Sequence, residues 1–467
     1  MFLGVMQTLF KTCFLILAPF YVFSQNNTFR SLIETQFTNF PTDTSNYISI
    51  APNVYAVSSF NKESDISNIF LLRATLTSNI SNNLTVISYF DYLAVNSNYL
   101  IKEYQDSLGI FPGFGLDDKR IQYNFRYKIN KFISADLGNG KQFIGNGYQS
   151  LLLSDIASPY PYLRLTTEFG RVKYYNLYTT FINPYMSDFG RKKHSTIHYL
   201  DFAISKNINL GVFESILWQS KSEELNKGYE LAYLNPVIFY RPVEFSKYSS
   251  KGNALMGSNF SINFKAMTLY GQFLLDDLNI SRQKDRDDDY EKGFFQNKYA
   301  YQIGLKGNIK DVNFLLEYNQ VQPYTYGHRT ILQNYSHMNQ ALAHPLGANF
   351  KEMINVLELR KGKWSYKIKT MFTIVGLDSL GSHYGQDIFA SDKDASTGGQ
   401  YSYGNFNGQG VKTTIFSFQP EVSFSIKQFE VFGMVYYRTK KSDLLDQSFL
   451  FYSVGFRTFP FMNFIDY

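Results

Sequence analysis

The chain is nearly devoid of cysteine, with one in 467 residues, at Cys13. It has only 2 Trp and 13 Pro, and no uninterrupted apolar segment follows the first two dozen residues. Each scarcity excludes something. The lone thiol sits inside "TCFLILAPFYVF", a run after Lys11 with the length of a signal-peptide h-region and too short for a spanning helix. We place the cleavage between Ser24 and Gln25, which makes residues 1–24 a signal peptide. Phe10, Lys11 and Thr12 are not the small residues that precede a lipid-modified cysteine. The exported chain therefore lacks thiols, which excludes disulfides, thiolate metal sites and thiol catalysis. The formal net charge of +6 is modest for this length and the basic residues are scattered, so no nucleic-acid partner is expected.

What is abundant is aromatic: 18% of the chain, with 44 Phe and 37 Tyr, although the mean hydropathy is only −0.23. Strand-forming rings without long apolar runs imply apolar residues dispersed one position in two. In "TTIFSFQPEVSFSIK" (413–427), Phe416, Phe418, Pro420, Val422, Phe424 and Ile426 share one face; Ser417, Gln419, Glu421, Ser423, Ser425 and Lys427 share the other. That period is a strand signal, sustained beyond the usual length in a soluble sheet. "YNFRYKIN" (123–130) repeats it, whereas "FEVFGMVYYR" (429–438) carries Phe432 and Met434 on its otherwise polar face.

Tight polar turns are expected at Asn130-Lys131, Lys206-Asn207, Gly307-Asn308, Lys361-Gly362-Lys363 and Lys427-Gln428, with long polar stretches at 182–196, 276–298, 323–350 and 377–411. Short turns on one side and long loops on the other are the organisation of a bacterial outer-membrane barrel. Without spanning helices, only a closed barrel satisfies its backbone in hydrocarbon. The expected fold is therefore all-β: a transmembrane antiparallel outer-membrane β-barrel of about 18 strands, within 16–20, at about 24 residues per strand and its loops. The terminal segment "SVGFRTFPFMNFIDY", ending on Tyr467, suits a last barrel strand. Residues 25–66 fit the pattern least. We divide the exported chain into an N-terminal portion, 25–120 (periplasmic segment, first strands, or both), and a barrel, 121–467.

Candidate chemistry is sparse. Gly140, Gly145 and Gly147 suggest a phosphate loop, but Asn146-Gly147 stands where Gly-Lys-Ser/Thr is needed and no helix follows, so the glycines read as a bend or bulge in a barrel wall. His194 and His198 share a face of a strand entrance, and His328, His337 and His344 share one long loop without nearby carboxylates; no metal site and no cofactor are expected. Asp285, Asp287, Asp288 and Asp289 in "KDRDDDYEK" lack the glycine and spaced glutamate of a calcium loop and read as a solvated loop tip. A Ser-His-Asn hydrolase triad on the outer wall can be neither picked out nor excluded. "GGQYSYGNFNGQG" (398–410) has rings that stack on sugars and amides that bond them, a makeup shared by any glycine-rich external loop.

Three segments carry a resemblance: "KQFIGNGYQSLLLSDIASPYPYLRL" with "GRVKYYNLYTTF", "YLNPVIFYRPVEF" (233–245), and "ALAHPLGANFKEMINVLELR" (341–360). Together they resemble the Wzi-like capsule-assembly family of outer-membrane barrels, and within it the gliding-motility members, over roughly residues 120–467. The resemblance implies a non-enzymatic barrel exposing a polysaccharide-binding surface, for retention or organisation of surface glycan or support of surface motility. The positions it marks as ligand-binding or lumen-shaping are Lys141, Gly145, Gly147, Tyr148, Ser150, Ser154 and Arg164 in the first segment, Asn235, Pro236 and Arg241 in the second, and His344, Pro345, Gly347 and Asn349 in the third. The implied partners are outer-membrane lipid, a surface polysaccharide, the barrel-assembly machinery during biogenesis, and gliding or secretion machinery. A porin or substrate-specific channel is the alternative.

Overall fold

The computed structural model describes residues 47–61, 66–96, 118–184, 186, 191–221, 228–236, 252–278, 297–379, 381–398, 404–427 and 429–458. The signal segment, Ser24, Gln25, Arg241, the Asp285–Asp289 run and the terminal residues 459–467 lie outside them.

The described residues form an 18-stranded antiparallel sheet that closes on itself. Its strands are β1 (Tyr47–Asn61), β2 (Ile66–Ser81), β3 (Leu84–Asn96), β4 (Asp118–Lys128), β5 (Ile133–Gly140), β6 (Tyr160–Phe169), β7 (Val172–Ile182), β8 (Lys192–Ala203) and β9 (Ile208–Gln219). They continue as β10 (Asn253–Asn263), β11 (Met267–Asp277), β12 (Lys298–Ile309), β13 (Val312–Val321), a two-residue ribbon β14 (Ser336–His337) and β15 (Gln340–Ala341), β16 (Phe350–Lys361), β17 (Trp364–Leu377), β18 (Val411–Ile426), β19 (Phe429–Lys441) and β20 (Asp446–Arg457). Neighbours in sequence pair, and β20 meets β1 from Tyr55↔Arg457 to Asn61↔Phe451. Over that stretch closure pairs what would otherwise be the two edge strands.

The alternation sorts the residues as the sequence implies. On β18, Phe416, Phe418 and Val422 face outward and are exposed, while Ser417, Glu421 and Ser423 are buried facing the lumen. Pro420 stands within this strand; its pairing with β17 persists, but the β18–β19 ladder skips from Phe418↔Tyr437 to Glu421↔Met434. The exterior carries exposed Ile50, Phe70, Phe125, Leu137, Ile303, Leu357 and Phe456, the apolar band a barrel presents to hydrocarbon. The impure face of β19 also has its reason. Phe432 turns into the lumen, 4.6 Å beneath the Arg457 guanidinium and 5.9 Å from the Tyr55 ring.

The connections at one end are all short, and the long ones all lie at the other, which also carries the brief β1–β2 and β19–β20 connections. One expected turn is displaced: Gly307 and Asn308 continue β12, paired with Phe314 and Asn313, and the chain reverses at Lys310-Asp311, where Lys310 adopts φ 57°. The 182–196 stretch is also shorter than expected, because residues 192–196 already belong to β8. Three strands, β1–β3, lie within residues 47–96.

Candidate functional site

The glycine-rich segment at 140–159 is not a bend in the wall. After β5 the chain leaves the sheet and enters the lumen, where only the bridge Ile144↔Leu153 is sheet-like. Leu151, Leu152 and Leu153 are fully buried in a core that also holds Leu177, Phe213, Leu255 and Leu274 from the wall. Such a loop must satisfy its backbone without water. The wall does this with side chains. Glu317 on β13 accepts the Tyr148 amide at 2.6 Å and the Gln149 amide at 3.0 Å. Gln272 on β11 accepts the Leu151 amide at 2.8 Å and donates to the Ile144 carbonyl at 3.0 Å. Gln302 and Lys306 on β12 donate to the carbonyls of Gln149 (2.9 Å) and Asn146 (2.6 Å).

The glycines answer to this crowding. A Cβ on Gly147 would lie 2.4 Å from Glu317 Oε2, and one on Gly145, at φ +146°, 2.3 Å from Gln272 Nε2. Close approach is what glycine permits here. Tyr148 packs among Leu315, Ile354, Val356 and Met371, with its hydroxyl 3.4 Å from Lys369 Nζ. Ser150 Oγ accepts the Leu152 amide at 3.1 Å. Lys141 Nζ donates to the Ile156 carbonyl at 3.4 Å, and Arg164, on β6, joins Gln142 Oε1 at 2.9 Å to Asp136 at 3.3 Å.

A second inner loop, 322–349, folds against the first. Ser154 N donates to the Leu342 carbonyl at 2.7 Å, and the hydroxyls of Tyr326 and Tyr335 donate to the carbonyls of Leu151 and Leu152, each at 2.8 Å. Burial holds both phenols protonated, well above the ordinary tyrosine range. Its β14–β15 ribbon turns through Met338 (φ 50°) and Asn339 (φ 57°), both left-handed as the tightest hairpin turn requires. Lys193, buried on β8, grips the loop through the Asn334 carbonyl (2.6 Å) and Ser336 Oγ (2.9 Å). His344 Nε2 lies 2.9 Å from Glu352 Oε2, with Pro345 beside it half-buried. Gly347, at φ +71°, passes so close to a third inner loop, 378–410, that a Cβ would meet the Gln386 carbonyl at 2.8 Å.

Asn349 pins this third loop. Its Nδ2 donates to the Gly376 carbonyl (2.9 Å) and the Gln409 carbonyl (3.0 Å), and its Oδ1 accepts the Gly408 amide (2.8 Å). Residues 404–410 of the proposed sugar-stacking loop are thus partly structural; 399–403 lie outside the described residues. Of the loop histidines, His337 is fixed in one tautomer, because Nδ1 accepts the Ile182 amide at 3.0 Å while Nε2 faces the Pro159 carbonyl at 3.3 Å. Burial lowers its pKa to about 3.

The second segment goes elsewhere. On β8, odd-numbered residues such as Ile197 enter the lumenal core, so Thr196 and His198 face outward. They are nevertheless buried, as are Glu214 and Asn176 beside them. Residues 228–236 run down the outer wall here and cover Thr196, which bonds the Tyr229 hydroxyl at 2.9 Å. Tyr233 packs on Trp218 and Ile216, and the wall donates to the strap's carbonyls: Trp218 Nε1 to Gly228 (3.2 Å), Thr196 to Tyr233 (2.9 Å), Tyr178 to Leu234 (3.0 Å) and Tyr174 to Pro236 (2.7 Å). His198 Nδ1 stands 3.8 Å from Glu214 Oε2, and His194 bonds Thr180 at 2.9 Å. The structure therefore joins the first and third segments inside the barrel and sets Asn235 and Pro236 on its outside. Sequence reasoning missed the wall residues that organise the lumen: Glu317, Gln272, Gln302, Lys306 and Glu352. Their only signal was a density of amides and charges on the inner face of β11–β13 and β16.

No family model matches the chain, and no curated protein matches it in sequence. Among solved structures the fold is similar to that of Wzi from Escherichia coli, described as an outer membrane protein involved in group 1 capsule assembly and a carbohydrate-binding β-barrel. The TM-score is 0.55 at 13% identity, over 88% of this chain and 85% of that one. OprD of Pseudomonas aeruginosa aligns with a TM-score of 0.46 at 10% identity, over 88% of this chain and 94% of that one. OpdK of Pseudomonas aeruginosa, solved with vanillate, aligns at 0.48 and 7%, over 88% and 98%. The shared feature is the closed outer-membrane type of β-barrel.

Proposed function

We propose that this chain is a non-enzymatic outer-membrane barrel that attaches or assembles surface polysaccharide and, through that glycan, supports movement of the cell over surfaces. The observation that carries the reading is the set of loops folded into the lumen. A diffusion channel needs a water-filled path; here three loops are fastened inside the lumen by buried wall side chains, and the first is packed in a core of aliphatic, phenylalanine and tyrosine side chains. Such a body suits a rigid platform for an extended ligand at the cell surface. The fold likeness to a carbohydrate-binding barrel supports the same reading.

Two measurements on the purified protein test it. Planar bilayers should show no steady current, and the cell's own surface polysaccharide should bind saturably. Steady open-channel current with size-limited solute passage would establish the porin alternative, and a covalent adduct on one serine would establish a hydrolase. Deletion of the gene should impair glycan retention or spreading; if both were normal, the proposal fails.

A further inference from the structure

The loop-side end of β11 is irregular. Its pairing with β12 slips between Leu275 and Asp277, which leaves Asp276 as the extra residue of a bulge. Bulges re-aim side chains. On the exterior just below, Phe273 and Tyr299 stack 6.3 Å apart and Tyr301 lies 6.0 Å from Tyr318, an aromatic row of the kind that marks the edge of the hydrocarbon. The bulge stands beyond this row, at the mouth.

Three carboxylates meet one ammonium there. Lys298, itself buried, places Nζ 3.0 Å from Asp277 Oδ2 and 3.0 Å from Asp392 Oδ2 on the third inner loop. Buried Asp276 accepts the Tyr326 amide of the second inner loop at 2.7 Å and adds its field to that of the other two on Lys298. Asp392 Oδ1 is buried without a hydrogen-bond partner. His328 does not supply the missing charge. Burial, then Lys298, lowers its pKa, and its Nδ1 accepts the Thr330 amide at 3.1 Å. The adjacent β10 carries no charged residue.

Among the described residues three carboxylates here share one ammonium, and a buried cluster short of positive charge is relieved by taking up a cation, of which the proton is the smallest. We propose that Asp276, Asp277, Asp392 and Lys298 form a proton-binding clamp at the mouth, which fastens the second and third inner loops to the wall and loosens as pH rises. The proposal does not depend on the glycan reading. Buried beside Asp277 and Asp392, with one ammonium among the three, Asp276 favours its protonated form. An aspartate in an opened mouth titrates near 4. The closed state therefore holds its proton more tightly, and closure is fully favoured below about 4 and weakens as pH climbs above it.

The test uses the mature protein in lipid vesicles, with a nitroxide on Lys393→Cys, an exposed position beside Asp392, in a chain retaining no other thiol. The ratio of immobile to mobile label should fall at least about tenfold between about pH 5 and about pH 8. Asp276→Asn, an uncharged isostere, should remain immobile throughout; Asp392→Asn provides the same reading if the first variant fails to assemble. A line shape indifferent to pH, or an unchanged titration in the Asn variants, overturns the proposal. So does immobilisation at high pH that requires added calcium and disappears with chelator, which would make the occupant a metal ion.

Discussion

The wall around β7–β13 holds irregular backbone on both of its faces, with charged and amide groups that both accept and donate inside and with donors alone outside. Inside, Glu317 and Gln272 present acceptors to the amides of the first inner loop. Outside, Tyr174, Tyr178, Thr196 and Trp218 present donors to the carbonyls of the strap. The lumen tolerates charge because several partners converge on each group. Glu317 takes two amides, the Tyr270 hydroxyl at 2.7 Å and Asn319 Nδ2 at 3.0 Å. The outer face uses neutral hydroxyls and an indole on aromatic bodies, groups that remain compatible with a lipid-facing wall. The difference teaches that barrel occupancy is decided by wall residues rather than by the loops they hold.

The largest effect should come from removing the lumenal acceptor. Glu317→Ala would leave the Tyr148 and Gln149 amides buried and unsatisfied, at about 1–3 kcal/mol each. Heat-modifiable migration of the barrel on gels should shift to lower temperature, and bilayers should acquire flickering current. An unchanged melting point and silent bilayers would show that loop-to-loop contacts, not the wall, hold the plug. Gly147→Ala attacks the same place sterically, since the new Cβ would sit 2.4 Å from Glu317 Oε2. A loss of about 1–3 kcal/mol is expected, and Glu317→Ala in the same chain should relieve only part of it, because the Gln149 carbonyl and Gln302 Oε1 would each still lie 2.7 Å from the new Cβ.

Much of this was legible beforehand. Strand faces, the side on which turns fall and the approximate strand number follow from a period of two and from turn residues. Phe416, Phe418, Val422 and Phe424 announce their own direction. The destination of a loop is not encoded that way. "SLLLSD" breaks the alternation because Leu151–Leu153 are enclosed on all sides, a sign of an interior segment that resembles an ordinary short strand. "YLNP" carries no period to tell lumen from outer wall. Gly147 is visible as a glycine, but the carboxylate it makes room for lies 170 residues along the chain.

A smaller effect is expected from acid. His337 is neutral in the folded protein with a pKa of about 3, against about 6.5 when unfolded. Between these values the unfolded chain binds the extra proton, so stability falls as pH drops, by up to about 1.4 kcal/mol per unit. His337→Gln should flatten this dependence of the junction between β7 and the inner loops, read by amide protection of Ile182. A slope that survives in the variant would assign it to other groups.

The mildest change tests the outer face. Tyr178→Phe and Tyr174→Phe each remove one hydroxyl that satisfies a strap carbonyl, at Leu234 and Pro236. Each should cost about 1 kcal/mol, and the pair about twice that because the two bonds engage different carbonyls. The barrel should keep its melting behaviour and its silent bilayers, while proteolysis near Asn235, already exposed, quickens. That dissociation is the sharpest form of the contrast between the faces. If the double variant also admitted current, the strap and the plug would be one coupled element, and the wall between them would not insulate its two sides.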